Sequence, residues 1–306
     1  MTTGVLLMAY GSPTSIDDTE AYFKDIRGGT KPSPEAVEVL RNKYIAIGGP
    51  STLNEVTDLQ ASALQQYLDT SSPGTFEVFT GMKHWHPFIA DTVKEITDKG
   101  IDEVIGLVLA PHYSSGSIGQ YEKKVRDARQ PETFRFNMVH SWYSEPSFVG
   151  FASSNVLEAL EGWDPFDSKT RVFFTAHSLP QRLIDQGDPY VDELNASAKL
   201  IAEQAGLDDW EVAWQSASHT GEPWIGPDIL ERLKAFADDG GHRAVVAPIG
   251  FVSDHLEILY DVDIECAEAS KELGIEFRRI KSPNDNSRFV SALAEVVMGA
   301  TSGPWD

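Results

Sequence analysis

A chain of 306 residues, 41% of them hydrophobic, with a mean hydropathy of −0.26, is about twice the usual size of one domain. It therefore predicts two domains or one large α/β unit, and no apolar run approaches the roughly 20 residues a membrane span requires. The 25 Lys and Arg against 47 Asp and Glu leave a net charge of −22, which repels phosphate backbones and anionic lipid surfaces and excludes nucleic acid as a partner.

Met1 leads into an apolar run without a basic flank or a small-residue cleavage site, so no secretory leader is expected and the protein is expected in the cytoplasm. Strands are predicted at 4–9, 76–81, 103–110, 134–140, 171–176, 211–215, 244–250 and 275–279, mostly separated by stretches of helical periodicity. That alternation predicts parallel strands with crossover helices, in two groups of four. Between the first two strands, Val39, Leu40, Tyr44 and Ile47 recur at helical spacing. Ala90, Val93, Lys94, Ile96 and Thr97 do the same before Gly100, a helix stop. Turn-rich stretches at 27–34, 48–51 and 216–223 are expected to be loops over a cleft. The domain change falls near Trp142 to Pro146, giving units 1–143 and 144–306, with the final helix, 288–298, free to pack on either half. Two short echoes support the division: 6–13 resembles 173–180, and 108–112 resembles 245–249.

Ligands of open parallel sheets bind outside the carboxyl ends of the strands. His177 stands at such an end, before Ser178-Leu179-Pro180, where it suits a general base or a ligand for ferrous iron. After the 244–250 run, Glu257, Asp261 and Glu265 recur every fourth residue, which on an α-helix places them on one face within about 80°. Like charges one turn apart are unfavourable, and a bound cation is one reason to keep such a row. Arg27, Lys31, Lys43, Tyr44, Ser51 and Tyr121 could serve an anionic ligand. The chain has no Walker loop, no Gly-x-Gly-x-x-Gly at a strand end, no Gly-x-Ser-x-Gly elbow and no His-Glu-x-x-His. The single cysteine, Cys266, permits no internal disulfide and cannot hold an iron–sulfur cluster; it reads as a buried or incidental thiol.

Six motifs occur in order along nearly the whole chain: Met8-Ala9-Tyr10-Gly11-Ser12-Pro13, Ala46-Ile47-Gly48-Gly49-Pro50-Ser51, Leu109-Ala110-Pro111-His112-Tyr113-Ser114, Ala176-His177-Ser178-Leu179-Pro180, Trp214-Gln215-Ser216 with Pro223-Trp224-Ile225-Gly226-Pro227, and Gly250-Phe251-Val252-Ser253-Asp254-His255-Leu256-Glu257. Together they resemble the ferrochelatases, and most closely the soluble, monomeric coproporphyrin III ferrochelatases of Gram-positive bacteria. The resemblance implies two Rossmann-like domains, each with a four-stranded parallel sheet flanked by helices, and a porphyrin in the cleft between them. It makes His177 and Glu257 the metal-insertion pair and Tyr10 an axial ligand to iron in the product. Asp261, Glu265 and His84 become an outer metal path, and Tyr10, Arg27, Lys43, Tyr44, Ser51 and Tyr121 the porphyrin-contacting set. Gly28 and Lys43 depart from a pattern in which basic residues and arginine are common at those positions, and a lysine cannot offer the bidentate fork of a guanidinium to a propionate.

The activity so implied is insertion of ferrous iron into coproporphyrin III to give coproheme, a step of haem biosynthesis. Iron is a substrate, no resident cofactor is expected, and the chain is expected to act as a monomer without a membrane anchor, touching haem-pathway enzymes transiently. The alternatives are protoporphyrin IX as substrate, a non-catalytic porphyrin or haem carrier, and cobalt insertion into a sirohydrochlorin-type ring.

Overall fold

The computed structural model describes residues 2–218 and 221–306, so His219 and Thr220 of the third predicted loop lie outside the described residues. The strands are β1 (Thr3–Ala9), β2 (Phe76–Met82), β3 (Glu103–Val108), β4 (Arg135–Val139), β5 (Thr170–His177), β6 (Trp210–Gln215), β7 (Arg243–Ala247) and β8 (Glu276–Arg279). They coincide with the predicted runs to within a few residues at each end. Among the described residues they form two four-stranded parallel sheets, ordered β2-β1-β3-β4 and β6-β5-β7-β8. The two orders are the same, and the first sequence echo falls on equivalent strands, β1 and β5, whereas the second sets the end of β3 against the middle of β7, three residues out of the register that the strand pairing gives. In each sheet the order reverses between its two central strands, which is where a crevice opens at their carboxyl ends.

The helices are α1 (Thr19–Ile26), α2 (Pro34–Ala46), α3 (Leu53–Ser71), α4 (Ile89–Asp98), α5 (Ile118–Ala128), α6 (Pro146–Ala159), α7 (Gln181–Asp185), α8 (Tyr190–Ala205), α9 (Ile229–Asp238), α10 (Ala267–Glu272) and α11 (Ser287–Ala300), with a π-helix at Glu257–Cys266. The continuous apolar runs of the central strands are buried on both faces, as parallel sheets require. One face of the first sheet packs Val5, Leu7, Ile105 and Leu107 against α3 and α11, through Leu64, Leu68, Phe289 and Leu293. Its other face packs Leu6, Met8 and Val104 against α4 and α5, through Val93, Ile96 and Val125. In the second sheet, Phe174 and Val245 meet α6 and α8, while Phe173 and Val246 meet α9 and the π-helix. Each such side chain contributes about 1.5–3 kcal/mol of burial. Cys266 is a fully buried member of this last cluster.

The last helix packs on the first sheet, as the contacts of Phe289, Val290 and Leu293 show, and α6 reaches both cores through Phe148 and Phe151 on one side and Val149 and Val156 on the other. In α2 the structure corrects the predicted apolar face: Tyr44 is buried, but Val39 is 61% exposed. Helices α1 and α2 form a flap between β1 and α3, and α2 begins where the Ser33 hydroxyl accepts from the Ala36 N–H with Pro34 at the first helical position. No helix among the described residues is long and apolar enough to cross a membrane.

Candidate active site

Tyr10 directly follows β1 and His177 ends β5, so the equivalent strand ends deliver a phenol and an imidazole. Gly11 makes the first turn possible: its φ is +83°, and a Cβ there would stand 3.0 Å from Met82, Trp85 and the Trp85 backbone nitrogen. The freed Gly11 carbonyl accepts from the Tyr22 hydroxyl at 2.8 Å. Gly250, after β7, is required for a close approach and not for a turn, because a Cβ there would lie 2.4 Å from that of Ala176. Its close approach lets the chain after β7 run beside the end of β5 and enter the π-helix at Glu257.

His177 Nε2 lies 3.4 Å from Glu257 Oε1, and the other Glu257 oxygen lies 3.3 Å from His255 Nε2. The Ser178 carbonyl faces His177 Nδ1 and can only accept, so Nδ1 carries a proton. A neutral His177 therefore offers its Nε2 lone pair, and only the imidazolium donates toward Glu257. Burial would push His177 down, but the Glu257 charge and hydrogen bond carry it up to about 9. Burial alone would raise Glu257, yet His177 and His255 together hold its carboxyl well below the usual range. Supporting bonds fix both groups: the Tyr190 hydroxyl donates to the His177 carbonyl at 3.0 Å, and Gln215 Nε2 donates to the Glu257 carbonyl at 3.0 Å. Both side chains keep about a third of their surface open to solvent, so an entering ligand can reach them.

On the other wall, Tyr10 is 40% exposed and leans on the His84 ring at a centroid distance of 4.6 Å. His84 Nδ1 is 2.8 Å from Asp25 Oδ2, and burial takes the imidazole down to about 4, so it is neutral at pH 7. The Lys83 ammonium lies 5.5 Å from the Tyr10 ring centroid and 5.0 Å from that of Tyr121. Lys83 is only 5% exposed, and burial lowers it to about 8. Although the Tyr10 ring is partly open, desolvation of its hydroxyl raises it, and the Glu257 charge adds to that shift, as it does for the buried Tyr44, Tyr121 and Tyr190. The field of one carboxylate thus reaches aromatic groups from both halves of the molecule.

The predicted row Glu257, Asp261, Glu265 lies on the π-helix and not on an α-helix. Closing bonds from i to i+5 takes more than four residues per turn, so residues four apart still share a face but drift in the opposite sense. Asp261 is occupied: Lys43 Nζ lies 2.9 Å from Oδ1, and the Ser216 hydroxyl donates to Oδ2. Glu265 is raised by burial. His84 sits with Tyr10 and Asp25, and among the described residues it makes no hydrogen bond or ion pair with the row. Among the described residues no three His, Cys, Asp or Glu side chains converge as a metal cage. Of the predicted porphyrin set, Arg27 is exposed at the end of α1, 5.9 Å from the Phe23 ring centroid, and Ser51 uses its hydroxyl to accept from the Leu53 N–H. Tyr44 and Tyr121 are buried. His255, Gln215, Tyr190 and Lys83 belong to this neighbourhood and were not predicted; His255, two residues before Glu257 in a quoted motif, carried a signal that could have found it.

A family model described as ferrochelatase matches residues 2–301. A curated ferrochelatase of Herpetosiphon aurantiacus is 47% identical over 301 residues, covering 97% of this chain and 98% of that protein. The coproporphyrin III ferrochelatase of Bacillus subtilis is 41% identical over 300 residues, covering 96% of each. Among solved structures, SirB of Bacillus subtilis with ferric iron superposes with a TM-score of 0.60 at 13% identity, over 99% of this chain and 96% of that one, which supports the chelatase-like fold. With its fold and nearly its whole length accounted for, the chain belongs to the ferrochelatase family of metal-chelating enzymes.

Proposed function

We propose that this ferrochelatase takes coproporphyrin III and ferrous iron and releases coproheme. The observation that carries the reading is the His177–Glu257 pair, 3.4 Å apart and about a third open to solvent, with Tyr10 exposed on the other wall. Coproporphyrin is favoured by curated relatives of that name at about 41% identity over nearly the full length. It is favoured too by Lys83 beside Tyr10 and Lys43 beside Asp261 in a chain of charge −22, with Arg27 joined to them by the resemblance, since four propionates need more cationic help than two.

Insertion removes two pyrrole N–H protons as one dication enters, so the charge balance requires a metal ligand and a proton acceptor together. Glu257 receives the dication. Its charge is what holds the proton on His177, and a dication on the carboxylate cancels that hold, so the imidazole releases its proton to solvent and presents the Nε2 lone pair. His177 then accepts one pyrrole proton, passes it to solvent through its open side and accepts the second, so that both protons leave as the metal takes the exposed nitrogens. In this reading Tyr10 ligates iron from the opposite face of the ring, and Asp261 and Glu265 line the outer approach. Arg27, Lys43 and Ser51 meet the porphyrin periphery, while the buried rings of Tyr44 and Tyr121 support the floor beneath Tyr10. His84 orients Tyr10 here, where the resemblance implied a place on the metal path. The enzyme works as a cytoplasmic monomer without a resident cofactor and passes its product to a later haem-pathway enzyme.

Anaerobic incubation with ferrous iron and either porphyrin, followed by absorption, tests the reading. Coproporphyrin III is expected to be consumed at least about tenfold faster than protoporphyrin IX. Equal or reversed rates would move the substrate to protoporphyrin IX, and binding of both without conversion would leave a carrier. Cobalt with a sirohydrochlorin-type ring is the remaining arm, and preferential turnover there would displace the iron reading.

A further inference from the structure

Lys43 stands in a place that its predicted role does not explain. It belongs to α2, in the flap between β1 and α3, yet its ammonium lies 2.9 Å from Asp261 on the π-helix, behind the second sheet. Other cations of the flap pair within it: Arg41 with Asp17 and Lys31 with Glu20. Lys43 also lies 4.4 Å from the Tyr260 ring centroid, and its charge acts on Glu265. Asp261 is buried, and its second oxygen is taken by Ser216, whose left-handed backbone (φ 62°) turns the hydroxyl onto it. A single ammonium thus neutralises the middle of the acidic row.

We infer that Lys43 is a displaceable latch: it closes the carboxylate row to metal ions until a carboxylate of the incoming porphyrin draws the ammonium off Asp261, so that the macrocycle is seated before iron enters. The inference rests on the porphyrin-metallating reading above and adds an order of events to it. An ammonium and a metal dication cannot share one carboxylate without strong repulsion, so entry of the metal requires Lys43 to leave. Lysine suits exchange better than arginine, being a point charge on a flexible stem with no planar fork to realign. The Lys43 side chain is 31% exposed, so water screens the pair and eases its opening. In a chain of charge −22 an unlatched row would collect any passing dication.

The test is calorimetric titration of the porphyrin-free protein with Co2+, in wild type, Lys43→Met, Lys43→Arg and Lys43→Met combined with Asp261→Asn, beside coproporphyrin III binding followed by fluorescence. Lys43→Met is expected to bind Co2+ about three- to tenfold more tightly, with the gain absent in the double variant and in Lys43→Arg. The same variant is expected to bind coproporphyrin III several-fold more weakly, with Lys43→Arg restoring most of the loss. Unchanged Co2+ affinity in a folded Lys43→Met protein would overturn the latch, and unchanged porphyrin affinity would overturn the exchange that opens it. Lys43→Gln provides a second neutral side chain should the methionine variant not fold. The Co2+ arm needs no porphyrin, so a wild type that metallates none would sink the proposed function and leave the latch to be judged by itself.

Discussion

The ends of β1 and β5 occupy equivalent places in two sheets of the same strand order, yet they carry opposite chemistry. Beyond β1 stand Tyr10, His84, Lys83 and Tyr121, an aromatic wall whose ammonium is held by ring faces and by no carboxylate among the described residues. Beyond β5 stand His177, Glu257 and Asp261, where cationic and anionic partners meet at 3.4 Å and 2.9 Å. The repeated topology supplies two strand ends of the kind at which ligands bind, and divergence of the side chains leaves one aromatic and the other rich in ionisable pairs, the division that the proposed function uses. The difference also sets which wall is costly to hold. A paired buried charge is partly compensated, whereas a buried ammonium on aromatic faces is compensated less.

The largest expected effect breaks the acidic wall. Glu257→Gln removes the charge proposed to receive the metal and is expected to lower insertion about 10²- to 10⁴-fold while leaving porphyrin binding within about twofold. In the same variant the His177 imidazole loses the charge that raises it, and its NMR titration is expected to fall from about 9 to below the ordinary 6.5. An imidazole still titrating near 9 would show that another group holds the proton. The sign of the linked stability follows. The raised His177 adds stability that is full below about pH 6.5 and lost as pH rises through about 9. The depressed Glu257 adds stability that is present above about pH 4.5 and lost as pH falls. Thermal unfolding of the metal-free protein from pH 5 to 10 is therefore expected to show a falling branch above about pH 7 that vanishes in Glu257→Gln.

The aromatic wall predicts the reverse. Burial lowers Lys83 to about 8 from 10.5, so holding its charge destabilises the folded chain at neutral pH, and that penalty fades as pH rises between about 8 and 10.5. Lys83→Met keeps the volume and removes the charge. It is expected to raise Tm at pH 7 by about 2–5 °C and to weaken coproporphyrin III binding several-fold. A lower Tm at pH 7 would mean that the cation–π contacts outweigh the burial of the charge, and the contrast between the walls would fail.

Sequence patterns reached these walls unequally. The eight strands were legible because runs such as Val5 to Met8 and Val172 to Phe174 are apolar throughout, and such runs have few alternatives to a buried parallel strand once helical stretches separate them. The spacing of Glu257, Asp261 and Glu265 was legible, but the π-helix was not, since an i to i+5 bond leaves no periodic signature over one short segment. Val39 was misread because apolar spacing alone does not say which helices have a surface to cover them. Lys83 and the Lys43–Asp261 pair stayed hidden for a shared reason: each is defined by contacts with residues far off in sequence, and the local pattern around a lysine does not distinguish a solvated ammonium from one that bridges two halves.

The smallest expected effect sharpens the comparison most. Tyr10 is raised first by burial, then by Glu257 across the site, and only then by Asp25 on its own wall. Asp25→Asn keeps a side-chain oxygen able to accept from His84 Nδ1, so the 2.8 Å hydrogen bond survives and Tm is expected to move by less than about 2 °C. With one negative charge gone, the Tyr10 phenol becomes slightly easier to ionise. Ultraviolet titration is expected to show its midpoint falling in Asp25→Asn, and falling further in Glu257→Gln. The opposite ranking would mean that Tyr10 answers to its own wall, and the two strand ends would then be neighbouring sites and not faces of one.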